Sequence, residues 1–145
     1  MRAAGGGGVT NPSKSKGTAA ETAVVRYARA HGFPLADRLT LSGRYDRGDV
    51  QLTVGLVAEV KAGKAAQKAS YNQVLAWLEE TETERVNAHA ETAVLIVQRT
   101  GYGIGRVESW QLWWVETFPF GPLPACCTVA DGLKRLRHAG WGSAL

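Results

Sequence analysis

The stretch Gly48-Asp49-Val50-Gln51-Leu52-Thr53-Val54-Gly55-Leu56-Val57-Ala58-Glu59-Val60-Lys61 decides how the chain folds. Two β-rich runs, Asp49–Thr53 and Leu56–Lys61, flank Gly55 and read as a hairpin. Three charged residues, Asp49, Glu59 and Lys61, interrupt runs that are otherwise largely apolar. Side chains two apart on a strand share a face, so Glu59 and Lys61 project together while Val60 points the other way, into a core. A hairpin centred near Val54 sets Asp49 opposite Glu59 on that same face. Two carboxylates converging at one sheet end make a hard-oxygen site of the kind Mg²⁺ prefers, completed by a backbone carbonyl (that of Val60), waters and a substrate phosphate. A lysine beside them orients or deprotonates the attacking water and offsets phosphorane charge. These are the components of metal-assisted phosphodiester hydrolysis. The alternative is an exposed hairpin face carrying a cross-strand ion pair. Against it, Val57, Ala58 and Val60 suit a strand inside the sheet.

Outward from the hairpin, the helical and strand periods continue on both sides. Thr18-Ala19-Ala20-Glu21 is a capping-box pattern that opens a helix over about 18–31, closed by Gly32. Met1–Lys16, with four consecutive glycines and no apolar period, reads as a flexible basic arm. A first strand is predicted over Asp37–Leu41, followed by a polar loop at Ser42–Gly48. Downstream, Lys64 to about Glu80 is the strongest helix, with Tyr71, Val74, Leu75 and Leu78 on one stripe. Residues 79–91 hold five glutamates and one arginine and read as a solvated acidic connection. Thr92–Gln98 suits a buried central strand, and a turn with Gly101, Gly103 and Gly105 leads into a last strand at Val107–Val115. The Pro-rich segment 119–124 breaks the pattern before a basic helix at Thr128–His138, with Val129, Leu133 and Leu136 on one side. The order α-β-β-β-α-β-β-α predicts an α/β fold, a mixed central sheet flanked by helices. Three parts are expected: an arm (1–16), a domain (17–116) and a C-terminal extension (117–145).

The 145 residues, 45% hydrophobic and 21% charged, suit one ordinary globular domain. No apolar run approaches the roughly 20 residues of a membrane span, and the N-terminus has no apolar core of a secretory signal. Cys126 and Cys127 are adjacent, too few for a zinc site and poorly placed to bridge, so a reducing cytoplasm is expected. Net charge is +4, and it is unevenly spread: ten Lys/Arg against five Asp/Glu in residues 1–64, seven against eight beyond. The N-terminal half therefore carries the field that a polyanion would meet.

Gly48-Asp49 followed by Glu59-Val60-Lys61 resembles the PD-(D/E)XK nuclease signature, with glycine in the proline position. Within that superfamily the chain is most similar to archaeal-type and phage Holliday junction resolvases. In those, a Lys-Gly pair and a helical glutamate, then an Arg-bearing strand and a Ser-Gly loop, precede the Asp and Glu-x-Lys strands. Here they are matched by Lys16-Gly17, Glu21, Arg38 and Ser42-Gly43. The resemblance covers about residues 16–100. It implies a restriction-endonuclease-like αβββαβ core, with Asp49 and Glu59 as metal ligands and Lys61 as the water-activating residue. Glu21 becomes an additional active-site carboxylate, Mg²⁺ the cofactor with Mn²⁺ able to substitute, and the assembly a homodimer holding branched DNA. Where many members carry an arginine after the helical glutamate, Thr22 stands here. Residues 117–145 have no counterpart.

Other residues carry two readings each. Glu21 also suits the third position of the capping box. Gln73 approaches the site or is an exposed helix glutamine. Arg38, Ser42, Arg44, Arg47, Lys64 and Lys68 contact DNA or form a solvated face. Trp110 and Trp114 on one face, and Trp113 on the other, serve the core or a dimer contact. Gly101-x-Gly-x-Gly opens no helix, so no nucleotide cofactor is expected. His31, His89 and His138 have no ligand spacing. The expected function is a Mg²⁺-dependent DNA endonuclease cleaving four-way junctions or other branched DNA, in the cytoplasm (the host's, if phage-encoded), with no membrane association. Two alternatives stand: a same-fold nuclease acting on nicked, single-stranded or restriction-type DNA, and a non-catalytic DNA-binding module.

Overall fold

The computed structural model describes residues 12–39 and 49–143, with side chains from residue 17 onward. Strand β3 (Leu56–Lys61) lies inside a six-stranded sheet, and its alternation divides the interior into two cores. Leu56, Ala58 and Val60 turn towards helix α1 (Pro12–Ala30) and join Ala20, Val24 and Ala28. The opposite face packs on helix α3 (Tyr71–Asn87), whose Val74 and Leu78 meet Leu95 and Val97 of β4 (Thr92–Val97). A four-residue helix, α2 (Lys64–Gln67), and α3 form the crossover between β3 and β4. Such a crossover is what lets two neighbouring strands run parallel, and among the described residues this is the one parallel pair. The other strands are β1 (Asp37–Arg38), β2 (Val50–Thr53), β5 (Gln111–Phe118) and β6 (Gly121–Thr128), in the order β1-β2-β3-β4-β5-β6. Helix α4 (Val129–His138) closes the chain over the α1 side, burying Val129 and Leu133 in the larger core. The chain is thus α/β, with a mixed six-stranded sheet and helices on both faces.

The hairpin is centred on Val54 in its outer pairs, while a bulge between Gln51 and Thr53 shifts the register so that Thr53 pairs Leu56 across a two-residue turn. Val50 pairs Ala58 and Gln51 pairs Val57, and the turn passes through Gly55 at φ +84°. Several boundaries differ from the sequence reading, each for a physical reason. Helix α1 starts at Pro12, where proline's fixed φ and missing N–H are tolerated, so Pro12–Lys16 of the expected arm are helical. Thr18 is then inside the helix and Glu21 is not a capping-box residue. The long helix after β3 is interrupted at Lys68, and Ser70 restarts it by accepting the Gln73 N–H at 3.1 Å. It then continues to Asn87, because Thr81 and Glu84 extend the Val74–Leu78 stripe inward; the expected acidic connection is mostly helix. Strand β1 has two residues rather than five, with Thr40 and Leu41 outside the described residues.

At the other end, Ile104–Ser109 is 3₁₀ helix and the strand begins only at Gln111. The Pro-rich segment does not end the sheet but forms edge strand β6. Pro122 and Pro124 stand two apart, so both missing N–H groups lie on one side, which an edge strand can leave unpaired. Segment 117–145, read from sequence as an extension, supplies β6 and α4 to the same sheet and core. It also clasps α1: Arg137 donates to the His31 carbonyl (2.6 Å) and Ser143 N–H to that of Gly32 (2.7 Å). Trp110 is fully buried, which makes it core and removes it as a dimer contact. Among the described residues no helix is long and apolar enough to cross a membrane. Cys126 and Cys127 are both free thiols.

Candidate active site

Asp49 stands one step beyond the β2–β3 ladder. Its N–H donates to the Ala58 carbonyl (3.1 Å), and its Oδ2 accepts the Val60 N–H (2.8 Å), so the carboxylate takes a place that a further strand residue would fill. Continuing the register by one residue puts Asp49 beside Glu59, and the two carboxyl groups are hydrogen-bonding neighbours. The carbonyls of Ala58 and Val60 leave β3 on the same side, because residues two apart repeat the strand's hydrogen-bonding direction. The Val60 carbonyl therefore faces the side on which Asp49 lies.

Glu59 points towards α3 and is 4% exposed. There it meets Glu84, also 4% exposed, on the inward stripe of that helix. Burial, reinforced by the hydrogen bond and like charge of Glu84, pushes the Glu59 carboxyl up to about 8, although Asp49 and Lys61 act in the opposite sense. Lys61, two residues on, shares this face. Its ammonium lies 3.3 Å from Glu80 Oε1 and 5.6 Å from the centre of the Trp77 ring, both on α3. Burial pulls the Lys61 pKa down, but the charges of Glu59, Glu80 and Asp49 outweigh it and hold the amine above its ordinary value, so it is a cation at neutral pH.

Glu21 comes from the other side of the sheet, on α1. Arg38 Nε donates to its Oε1 at 3.0 Å, and the Asp49 carboxyl is its other neighbour. Burial and the Asp49 charge raise its pKa against the pull of Arg38. Four carboxyl groups thus form a row across the sheet, Glu21–Asp49–Glu59–Glu84, with Arg38 at one end and Lys61 alongside. Carboxyl and carbonyl oxygens brought together in this way are of the kind that a hard divalent cation takes as ligands. Asp49, Glu59 and the Val60 carbonyl are the groups that the sequence reading names for such an ion. They make up two carboxylates and one backbone oxygen. Among the described residues no group of three or more His, Cys, Asp or Glu is arranged to hold a metal.

The structure therefore brings Glu21, Asp49, Glu59, Val60 and Lys61 together. Arg38 joins them through Glu21 and is engaged there. Lys64 and Lys68 are exposed on and just after α2, beyond the end of β3. Gln73 is exposed in the first turn of α3, away from the buried row. Ser42, Arg44 and Arg47 lie outside the described residues. Glu84 was missed by reading 79–91 as solvated; its helical spacing from Val74, Leu78 and Thr81 was the signal that could have found it. No family model, no curated protein and no solved structure matches the chain.

Proposed function

We propose that the chain is a metal-dependent DNA endonuclease of PD-(D/E)XK type acting on four-way junctions or other branched DNA. One observation carries the reading: the Asp49 carboxylate sits against Glu59, Glu21 and the Val60 amide, with the Lys61 ammonium on the same strand face. Asp49, Glu59 and the Val60 carbonyl would hold Mg²⁺, which when bound supplies Lewis acidity towards a phosphodiester oxygen and acidifies a water. Glu59 enters that state by giving up the proton its burial favours, and Glu84 sustains the demand for positive charge there. Lys61, being cationic, orients the attacking water through its N–H groups and offsets charge on the phosphorane. Proton removal then falls to a carboxylate or the phosphate rather than to the amine. Glu21, outside the capping role once α1 starts at Pro12, is free to serve as the additional carboxylate, oriented by Arg38.

The test is a side-by-side cleavage assay on four-way junction, duplex, nicked and single-stranded DNA, with Mg²⁺ and with EDTA. Metal-dependent cleavage, highest on the junction, is expected. Cleavage preferring another of the four moves the substrate class but keeps the chemistry. No metal-dependent cleavage of any substrate, with binding retained, identifies a DNA-binding module instead. A junction has two symmetric strands to cut, so this reading also expects a C2 homodimer by light scattering.

A further inference from the structure

Beside Lys61 lies a segment that the proposed chemistry does not use. It begins where the Gln98 N–H donates to the Lys61 carbonyl (2.9 Å), and it runs through Arg99, Thr100, Gly101, Tyr102, Gly103, Ile104 and Gly105 to Arg106. We propose that this loop, with Lys64 and Lys68 beside it, is a docking surface for the sugar-phosphate backbone of DNA. The proposal rests on the reading of the chain as a protein acting on DNA, but not on cleavage.

The loop is held rigidly. The buried Gln98 amide accepts the Gly63 N–H (2.8 Å) and donates to the Tyr102 carbonyl (3.0 Å), which the Trp110 indole also bonds (2.9 Å). Thr100 Oγ1 donates to the Gln67 carbonyl (3.1 Å) and so fastens the loop to α2. On this frame the Tyr102 ring is contacted by two guanidinium groups, Arg99 at 5.4 Å and Arg106 at 5.3 Å. Both arginines are exposed. Stacking on a ring orders a guanidinium while leaving its N–H groups outward, which lowers the entropy lost on gripping a phosphate. Glu108 bonds Arg106 Nε at 3.1 Å and offsets one of the four positive charges of Lys64, Lys68, Arg99 and Arg106. A net positive shelf remains.

The glycines supply the second, independent line. Gly101 has φ +88° and needs to be glycine for its conformation. Gly103 and Gly105 do not: neither has a positive φ, and a Cβ on either would meet no atom within 4 Å. Nothing within the described chain requires their bareness. Bare backbone at the surface allows close approach of a ligand. It borders a cleft of about 390 Å³ between Ala19 of α1, Gly63, Lys64 and Ile104. Ala62, which follows Lys61 at the end of β3, also lines this cleft, so a strand lying in it would run past the end of the strand that carries Glu59 and Lys61.

The experiment measures anisotropy of labelled duplex and four-way junction DNA with the full chain in EDTA, across a salt series. An Arg99→Ala/Arg106→Ala variant is expected to bind roughly tenfold or more weakly, with the slope of log K against log salt reduced by about two. Gly103→Val/Gly105→Val should weaken binding several-fold at an unchanged thermal midpoint, a result that loss of charge does not explain. If the wild type binds DNA while both variants bind as tightly and with the same slope, the loop proposal falls and the nuclease reading stands. If the wild type binds no DNA, both fall together.

Discussion

The two faces of the sheet spend burial differently. Towards α1 and α4, Leu56, Ala58 and Val60 of β3 and Val94 and Ile96 of β4 join Trp110, Leu112 and Leu133 in a continuous apolar cluster. Towards α3 the same two strands offer Glu59 and Lys61 beside Leu95 and Val97, and the helix answers with Glu84 and Glu80. One face gains its stability from transfer of apolar area out of water. The other keeps a buried carboxyl pair that disfavours its own charged form. Strand β3 belongs to both, because its side chains alternate. On β3, the apolar core and the charged pair Glu59 and Lys61 are thus one residue apart in sequence and on opposite sides of the sheet.

The largest effect separating the faces should be on cleavage. Lys61→Ala is expected to lower metal-dependent cleavage by roughly 10²–10⁴-fold. Its half-exposed pairing with Glu80 contributes no more than about 1 kcal/mol, so the urea midpoint should barely move. Cleavage at the wild-type rate would reduce Lys61 to a strand-face charge. Next comes the mirror experiment on the apolar side. Ile96→Ala, at a fully buried site, should cost about 2–5 kcal/mol in urea unfolding. The thermal shift on adding Mg²⁺ should stay that of the wild type; a variant that loses it would show that the faces are not separable.

The third test is pH. The folded Glu59 carboxyl titrates near 8, above its ordinary value of 4.5, so the folded state holds a proton that the unfolded chain has released. The stabilisation is therefore complete below about pH 4.5 and is lost as pH rises through 8. Metal-free protein should lose a few kcal/mol of stability between pH 5 and 9 from this group. Glu59→Gln should flatten that slope, and Glu84→Gln should shift it to lower pH by removing a like-charged neighbour. A slope unchanged in Glu59→Gln would place the titrating group elsewhere. The smallest effect concerns Arg38, whose ion pair with Glu21 is half exposed on the arginine side. Arg38→Ala should change stability by under about 1 kcal/mol while raising the Glu21 carboxyl further in a carbon-13 titration. A falling Glu21 pKa would mean that Arg38 is not its partner.

What was legible in the sequence was local. The outer pairing of the hairpin followed from period-two alternation about Val54, though not the bulge between Gln51 and Thr53, and the sharing of a face by Glu59 and Lys61 followed from the same period. The Thr92–Val97 strand showed as an apolar run, and α4 as a basic helix with Val129, Leu133 and Leu136 on one side. The errors fell where a nonlocal partner overrode composition. Acidic residues look solvated until Glu59 across the interface makes Glu84 a buried neighbour. Prolines look like terminators until β5 offers an edge on which their missing donors do no harm. Thr18-x-x-Glu21 looks like a cap until Pro12 starts the helix six residues earlier.

By itself, then, the sequence determined the alternation of β3, the α/β class, and the residue types able to hold a hard cation beside a lysine, because side-chain period and donor chemistry are properties of short segments. Only the tertiary structure decided that the row runs Glu21–Asp49–Glu59–Glu84. Those four carboxyl groups come from α1, the start of β2, β3 and α3. Their proximity, and the desolvation that lifts Glu59, depend on the closing of the two cores around the sheet.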